Sequence, residues 1–264
     1  MKNINSIKLF PNNDERAKQI TEILVKELEK NNLTVSDKDY QLAIAIGGDG
    51  SFLRMLENNK FNSDIYYIGV NAGTLGFLQE VKPEKIPYFI ESLITGDLKE
   101  EKIGIQETKI ETNTDTYSYY SLNEIVLRNK DLNTAILNIY IENNFLNRFA
   151  GDGIMVCTSV GSTAYNKSCG GSMIYSSLHT LQITPIAPIN NAAYKSLSNS
   201  IVIPEDKIIT IIPEKQELNI KIDSAAYVYD NVSKIETSVS KKKVKCLRMK
   251  DYNYTNIVYD KFLK

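Results

Sequence analysis

The sequence has one histidine, His179, and three cysteines, Cys157, Cys169 and Cys246, in 264 residues. A single imidazole excludes histidine triads and multi-histidine metal sites. An enzyme built on this chain would therefore draw its general base from a carboxylate. The cysteines are odd in number and too far apart for a CxxC motif or a zinc framework, so reduced, buried thiols are expected. Excess charge is missing as well. With 31 lysines and arginines against 32 aspartates and glutamates, no global field recruits nucleic acid or an anionic membrane. No apolar run approaches the roughly 18 residues of a membrane span, and the opening MKNINSIKLF lacks an apolar core followed by a cleavage site. A cytoplasmic protein with neither nucleic-acid nor membrane partners is expected. There are no internal repeats and no low-complexity linker.

What is present is an ordinary globular composition, 42% hydrophobic and 24% charged, in a chain long enough for two domains. SIKLF (6–10), YQLAIAI (40–46) and DIYYIGV (64–70) read as strands. Between the first two, Asn12, Asn13 and Asp14 offer a helix cap, and Ala17, Ile20, Leu24 and Leu28 recur on one side of a helix. SFLRMLEN continues as a helix after the second strand, and another is expected over about 83–95. This alternation predicts an α/β domain over residues 1–98 with a parallel sheet and ligand sites at the carboxyl ends of its strands. From residue 99 to about 240, short β-branched and tyrosine-rich runs broken by Asn, Asp, Gly and Pro predict a β-rich domain. The basic stretch KKKVKCLRMK near the end reads as a solvated edge strand rather than a binding patch.

AIAIGGDGSF (43–52) carries the first chemical signal. Its Gly47, Gly48, Asp49 and Gly50 match neither GxGxxG nor a P-loop. They form either a tight turn or a phosphate-holding turn in which Asp49 takes a proton from an acceptor hydroxyl, with a divalent cation softening the repulsion. GVNAGTLGFL (69–78) supplies a second turn at a neighbouring strand end, where Gly73 and Gly76 can keep backbone close to a ligand. Asn123 and Glu124 have the mixed donors and acceptors that read an adenine edge and ribose hydroxyls, or they simply begin a strand. GDGIMVCTSVGSTAYNKSCGG (151–171) joins hydroxyls and backbone suited to a polar ligand with Tyr165, whose face suits a flat ring.

Together these blocks resemble the NAD kinase family in its short bacterial form. GGDG (47–50), NAGTLGFL (71–78), NE (123–124), GDG (151–153) and GSTAYNKSCGG (161–171) occur in the family's order and at similar spacing over most of the chain. GGDG alone is shared with lipid kinases and phosphofructokinases; its combination with NE and GSTAYN is specific. The resemblance implies a NAD kinase-like two-domain fold, with a site in the crevice and a terminal segment, about 241–264, returning to the first domain. It implies phosphorylation of the adenosine 2′-hydroxyl of NAD by ATP or polyphosphate, with Mg²⁺ as the expected divalent cation. Asp49 would be the base, with Gly48, Gly50, Gly73 and Phe77 in the same site. Asn123 and Glu124 would bind the dinucleotide. Asp152 and Ala164 would lie near its nicotinamide end, Thr163 and Tyr165 would contact adenine, and Ser168 would border that pocket. Ala187 matches a position that completes a neighbouring subunit's site, which implies a homotetramer.

The sequence departs from the family's pattern at several positions. Ser159 and Val160 replace a proline and a hydroxyl residue, Ala150 and Ala192 stand where basic residues occur, and Ser224 stands where some relatives carry a histidine. None of these changes touches the proposed base. Two rival readings are a lipid kinase sharing GGDG and a dinucleotide sensor without turnover. The first would need an apolar acceptor groove, and the second has no clear use for Asp49.

Overall fold

Residues 4–73, 76–131 and 133–264 are described in the structure, a computed structural model of the chain. Two units make up the chain, unit 1 comprising Met1–Ile103 with Lys243–Lys264 and unit 2 comprising Gly104–Lys242.

In unit 1, β1 (Ser6–Pro11) leads through α1 (Glu15–Lys30) and the short β2 (Thr34–Val35) to β3 (Leu42–Gly47), α2 (Asp49–Asn58), β4 (Tyr66–Asn71) and α3 (Ile86–Thr95). Asp14 caps α1 by accepting the Ala17 N–H at 2.9 Å. Ala17, Ile20, Leu24 and Leu28 bury one stripe of that helix in a cluster with Ile7, Ile44 and Ile68, as their spacing predicts. β1, β3 and β4 pair in parallel, with β3 between the other two. All six residues of β3, LAIAIG, are buried, which is why this strand reads as an unbroken apolar run. Its carboxyl end delivers the chain directly into α2, and that of β4 into the second glycine-bearing turn.

Unit 2 is almost entirely strand. It contains β5 (Lys99–Thr112, entering from unit 1), β6 (Thr116–Ser121), β7 (Glu124–Asn129), β8 (Ala135–Ile141) and β9 (Asn144–Thr158). After the short α4 (Tyr165–Ser168) come β10 (Thr180–Pro188), β11 (Ile201–Pro204), β12 (Ile209–Pro213), β13 (Leu218–Ile222) and β14 (Ala225–Tyr229). The fifteen-residue β9 organises the unit. Its first half pairs with β8, and its second half pairs with β7 and β10, all antiparallel. An apolar cluster including Ile125, Leu137, Phe149, Val156 and Ile220 fills the interior. The α/β class of the first part and the strand-rich character of the second are those read from the sequence.

The basic segment near the end departs from its expected role. It belongs to β15 (Val232–Arg248), which is not a solvated edge. In unit 2 this strand pairs antiparallel with β12, and its Thr237 hydroxyl shares a 2.9 Å hydrogen bond with that of Thr108 on β5. In unit 1 its end pairs in parallel with β4, Lys245 opposite Tyr66 and Cys246 opposite Tyr67. Val244 and Cys246 are buried between the lysines. The Lys242 ammonium lies 5.0 Å over the Tyr120 ring and that of Lys245 lies 5.7 Å over Tyr66, so aliphatic stems cover apolar surface while charges stay outside. α5 (Tyr254–Val258) and a π-helical turn, Tyr259–Leu263, complete unit 1. Among the described residues, no helix is long and apolar enough to cross a membrane. Cys157 and Cys246 are buried, and burial pushes both thiols up; Cys169 is only half-buried, and all three are free.

Candidate functional site

Asp49 is the first residue of α2 rather than part of a loop, and Gly48 is its N-cap. A helix N-terminus favours negative charge, which explains how the carboxylate is tolerated beside glycines. Asp49 Oδ2 accepts the Phe77 N–H at 3.1 Å and Oδ1 accepts the Leu78 N–H at 3.0 Å, so the second glycine-bearing turn grips it from across unit 1. Gly76 makes this approach possible, since a Cβ there would lie 2.2 Å from Oδ1. The Lys261 ammonium stands 3.4 Å from Oδ2. Gln79 adds a brace by donating its Nε2–H to the Gly48 carbonyl at 2.7 Å. Gly48 and Gly50 are exposed, and the leading N–H groups of a helix have no partner within it, an arrangement suited to phosphate. Gly73 is exposed and donates to Asn71 Oδ1 at 2.8 Å, while Phe77 is half-buried; Thr74 and Leu75 of the same turn lie outside the described residues.

The remaining sequence-derived candidates belong to unit 2. Glu124 begins β7 and Asn123 immediately precedes it, and their backbone is locked by a distant carboxylate. Asp223 Oδ1 accepts the N–H groups of Asn123 at 2.8 Å and Glu124 at 3.1 Å, and Oδ2 accepts that of Leu122 at 2.7 Å. Gly161 passes so close that a Cβ there would lie 2.1 Å from the Asn123 carbonyl oxygen. Glu124 is 4% exposed, and its Oε2 has no hydrogen-bond partner among the described residues. Burial pushes its carboxyl up to about 7; the neighbouring Asp223 charge reinforces the shift and Lys221 opposes it.

Tyr165 opens α4 and packs against the apolar cluster of Val126, Met155, Cys157 and Ile186. Its hydroxyl accepts from Arg128 Nη2 at 2.8 Å, and the Lys221 ammonium lies 5.9 Å from its ring centre. A pocket of about 270 Å³ is lined by these three residues with Val126, Asn219, Ile220 and Ala226. Thr163 is buried and donates to the Val160 carbonyl at 3.1 Å, Ala164 is half-buried, and Ser168 is exposed. Fully buried Asn166 fastens the segment, donating to the Ser162 carbonyl at 3.1 Å and accepting from Thr184 at 2.6 Å. Asp152 and Ala187 are exposed opposite one another, between the pairs Ile186–Gly153 and Pro188–Gly151. Ala187 has φ +44°, a left-handed conformation that costs a non-glycine residue about 1–2 kcal/mol. Ser224 is exposed in the turn between β13 and β14, next to Asp223.

The structure thus groups Asp49 with Gly76 and Phe77 in unit 1, and Glu124 with Asn123 and Asp223 in unit 2. Lys261, Asp223, Arg128, Lys221 and Gln79 were not found from sequence, because each acts across a long stretch of chain. Among the described residues no group of three or more His, Cys, Asp or Glu side chains could hold a metal ion.

Comparison with known proteins gives a consistent result for both parts of the chain. Residues 5–98 match the family model described as ATP-NAD kinase N-terminal domain, and residues 122–249 match ATP-NAD kinase C-terminal domain. An NAD kinase of Finegoldia magna is 37% identical over 268 residues, covering 97% of each chain. An NAD kinase of Lactobacillus helveticus is 31% identical, covering 96% of this chain and 94% of its own. Among solved structures, yeast NADH kinase complexed with NADH superposes with a TM-score of 0.82 at 17% identity, covering 100% of this chain and 88% of that one. An Archaeoglobus fulgidus NAD kinase in complex with ATP gives 0.76 at 21% identity, covering 96% and 98%.

Proposed function

We propose, for a chain that belongs to the NAD kinase family and is a phosphotransferase acting on NAD, that Asp49 is the base for the adenosine 2′-hydroxyl. The observation that carries this role is the fixed carboxylate at the start of α2, held by the Phe77 and Leu78 N–H groups beside helix N–H groups suited to phosphate. The 2′-oxygen forms a bond to the terminal phosphorus of the donor as the bond from that phosphorus to the leaving phosphate oxygen breaks. The 2′-hydroxyl proton passes to Asp49. Little covalent chemistry is asked of the protein beyond this transfer, and its main work is to position and neutralise the reacting groups.

ATP is the proposed donor, with polyphosphate as an alternative, and Mg²⁺ arrives on it, where it neutralises phosphate charge. Asn123, Glu124, Asp152, Thr163, Ala164, Tyr165, Ser168 and Ser224 are proposed to hold the dinucleotide. The unpartnered oxygen of Glu124 supports a role in accepting a ligand's hydroxyl hydrogen. A homotetramer in the cytoplasm completes the proposal, with the exposed, left-handed Ala187 reaching a neighbour's site.

The test mixes purified protein with NAD, ATP and Mg²⁺ and detects NADP with an NADP-specific dehydrogenase. NADP accumulation is the expected result. Binding of NAD without product would point to a sensor, and product on a lipid acceptor alone to a lipid kinase.

A further inference from the structure

Phosphoryl transfer needs positive charge where the transferred group passes, and in a P-loop a lysine at the end of the glycine run supplies it. GGDGSF contains no such residue. Arg54, further along α2, donates to Asn12 Oδ1 at 2.9 Å and Ser51 Oγ at 3.1 Å. The cation at the Asp49 carboxylate comes from the other end of the chain: Lys261 Nζ lies 3.4 Å from Oδ2, with both side chains about 30% exposed.

The segment carrying Lys261 is seated on the same turn that grips Asp49. The Phe262 ring packs 5.3 Å from that of Phe77, and Tyr254 packs against it at 6.1 Å. The Lys261 ammonium itself lies 4.7 Å from the Phe77 ring centre. An ammonium over an aromatic face keeps a favourable contact after it leaves a carboxylate. Lys261 can therefore change its anionic partner without leaving the site.

The acceptor positions of Asp49 are nearly all taken. Each carboxylate oxygen offers about two. On Oδ1 one is filled by the Leu78 N–H, and Gly76 approaches so closely that a Cβ there would lie 2.2 Å from the oxygen. On Oδ2 one is filled by the Phe77 N–H and the other by Lys261. A hydroxyl giving its proton to Oδ2 must displace Lys261, since the backbone donors are fixed.

We infer that Lys261 is a second catalytic residue, drawn from Asp49 to the terminal phosphate of the donor, where its charge stabilises the transferred phosphoryl group. A hydroxyl about 2.7 Å from Oδ2, with phosphorus about 3–3.5 Å beyond its oxygen, leaves phosphoryl oxygens within the sweep of a lysine stem. Donor binding then does two things at once: it pairs the ammonium with phosphate and frees the Oδ2 position that the acceptor hydroxyl needs.

This inference rests on Asp49 as the base, and its test separates the two. Lys261→Met, Lys261→Gln and Lys261→Arg are assayed in the full chain beside Asp49→Asn, with KM measured separately for ATP and NAD at saturating Mg²⁺. The two neutral variants should each lose about 100-fold in kcat and raise KM for ATP about tenfold, with KM for NAD held within about threefold. Lys261→Arg should recover most of both losses. A kcat and ATP KM within about threefold of wild type in either neutral variant would overturn the inference, even with Asp49→Asn inactive. An equal rise in both KM values without arginine rescue would also overturn it, by assigning Lys261 to tail packing. An active Asp49→Asn would instead remove the base reading on which the Oδ2 exchange depends.

Discussion

The two carboxylates at the centre of the candidate sites are treated in opposite ways. Asp49 in unit 1 receives two backbone N–H groups and an ammonium. Glu124 in unit 2 is buried beside the Asp223 carboxylate with one oxygen unpartnered, and burial pushes its carboxyl up to about 7. The first is held in place by fixed donors. The second is left with an unmet hydrogen-bonding need, which a bound hydroxyl can meet. In the proposed mechanism the first serves proton transfer and the second serves recognition.

Gly76→Ala should disturb the Asp49 side most strongly. The added methyl meets Oδ1 at 2.2 Å and forces the carboxylate off its backbone donors. Turnover should fall by about 100-fold, the usual cost of misplacing a reacting group by about an ångström. Unchanged kcat would mean that the grip of the turn on Asp49 is irrelevant to catalysis.

Glu124→Gln sharpens the other side through pH. Below about 4.5 Glu124 is protonated in both folded and unfolded chains, whereas in the folded chain it ionises only near 7. The stability associated with the neutral buried carboxyl is thus fully present below about 4.5 and lost as pH rises through about 7, roughly 3 kcal/mol in all. Urea unfolding at several pH values should show this falling slope in the wild type and its loss in Glu124→Gln. The same slope in both proteins would assign the pH dependence to other groups.

Tyr165→Ala should weaken NAD binding by about 1–3 kcal/mol if the ring stacks on adenine, as base–aromatic contacts do elsewhere. Calorimetry decides it, and unchanged affinity would leave Tyr165 as packing for Val126 and Met155. His179→Asn should have the smallest effect. The imidazole lies 3.8 Å from Glu205 and lines a small cavity with Gly104 and Ser159. Turnover and the shape of its pH profile should not change, whereas loss of an acid limb near neutrality would route the proton through His179.

Much of unit 1 was legible because its signals are local. Asp14 caps the helix three residues ahead of Ala17, and the Ala17–Leu28 stripe follows a helical repeat. GGDG was legible as chemistry, but its contacts were not. Asp49 meets Lys261 across 212 residues, and Asn123 meets Asp223 across 100, distances over which sequence carries no pairing rule. The misread strand β15 had a signal of its own. Val244 and Cys246 alternate with lysines, the pattern of a strand with one buried face, and the lysine count obscured it.

The role proposed for Asp49 lies in the proton transfer and not in the fold or in NAD affinity. Its most direct test measures NAD binding by calorimetry and NADP formation by coupled assay on one preparation of Asp49→Asn. The expected result is a folded protein that keeps most of its NAD affinity and loses two to four orders of magnitude in turnover, roughly the reach of a positioned general base. More than about a tenth of wild-type turnover in that variant would contradict the assignment.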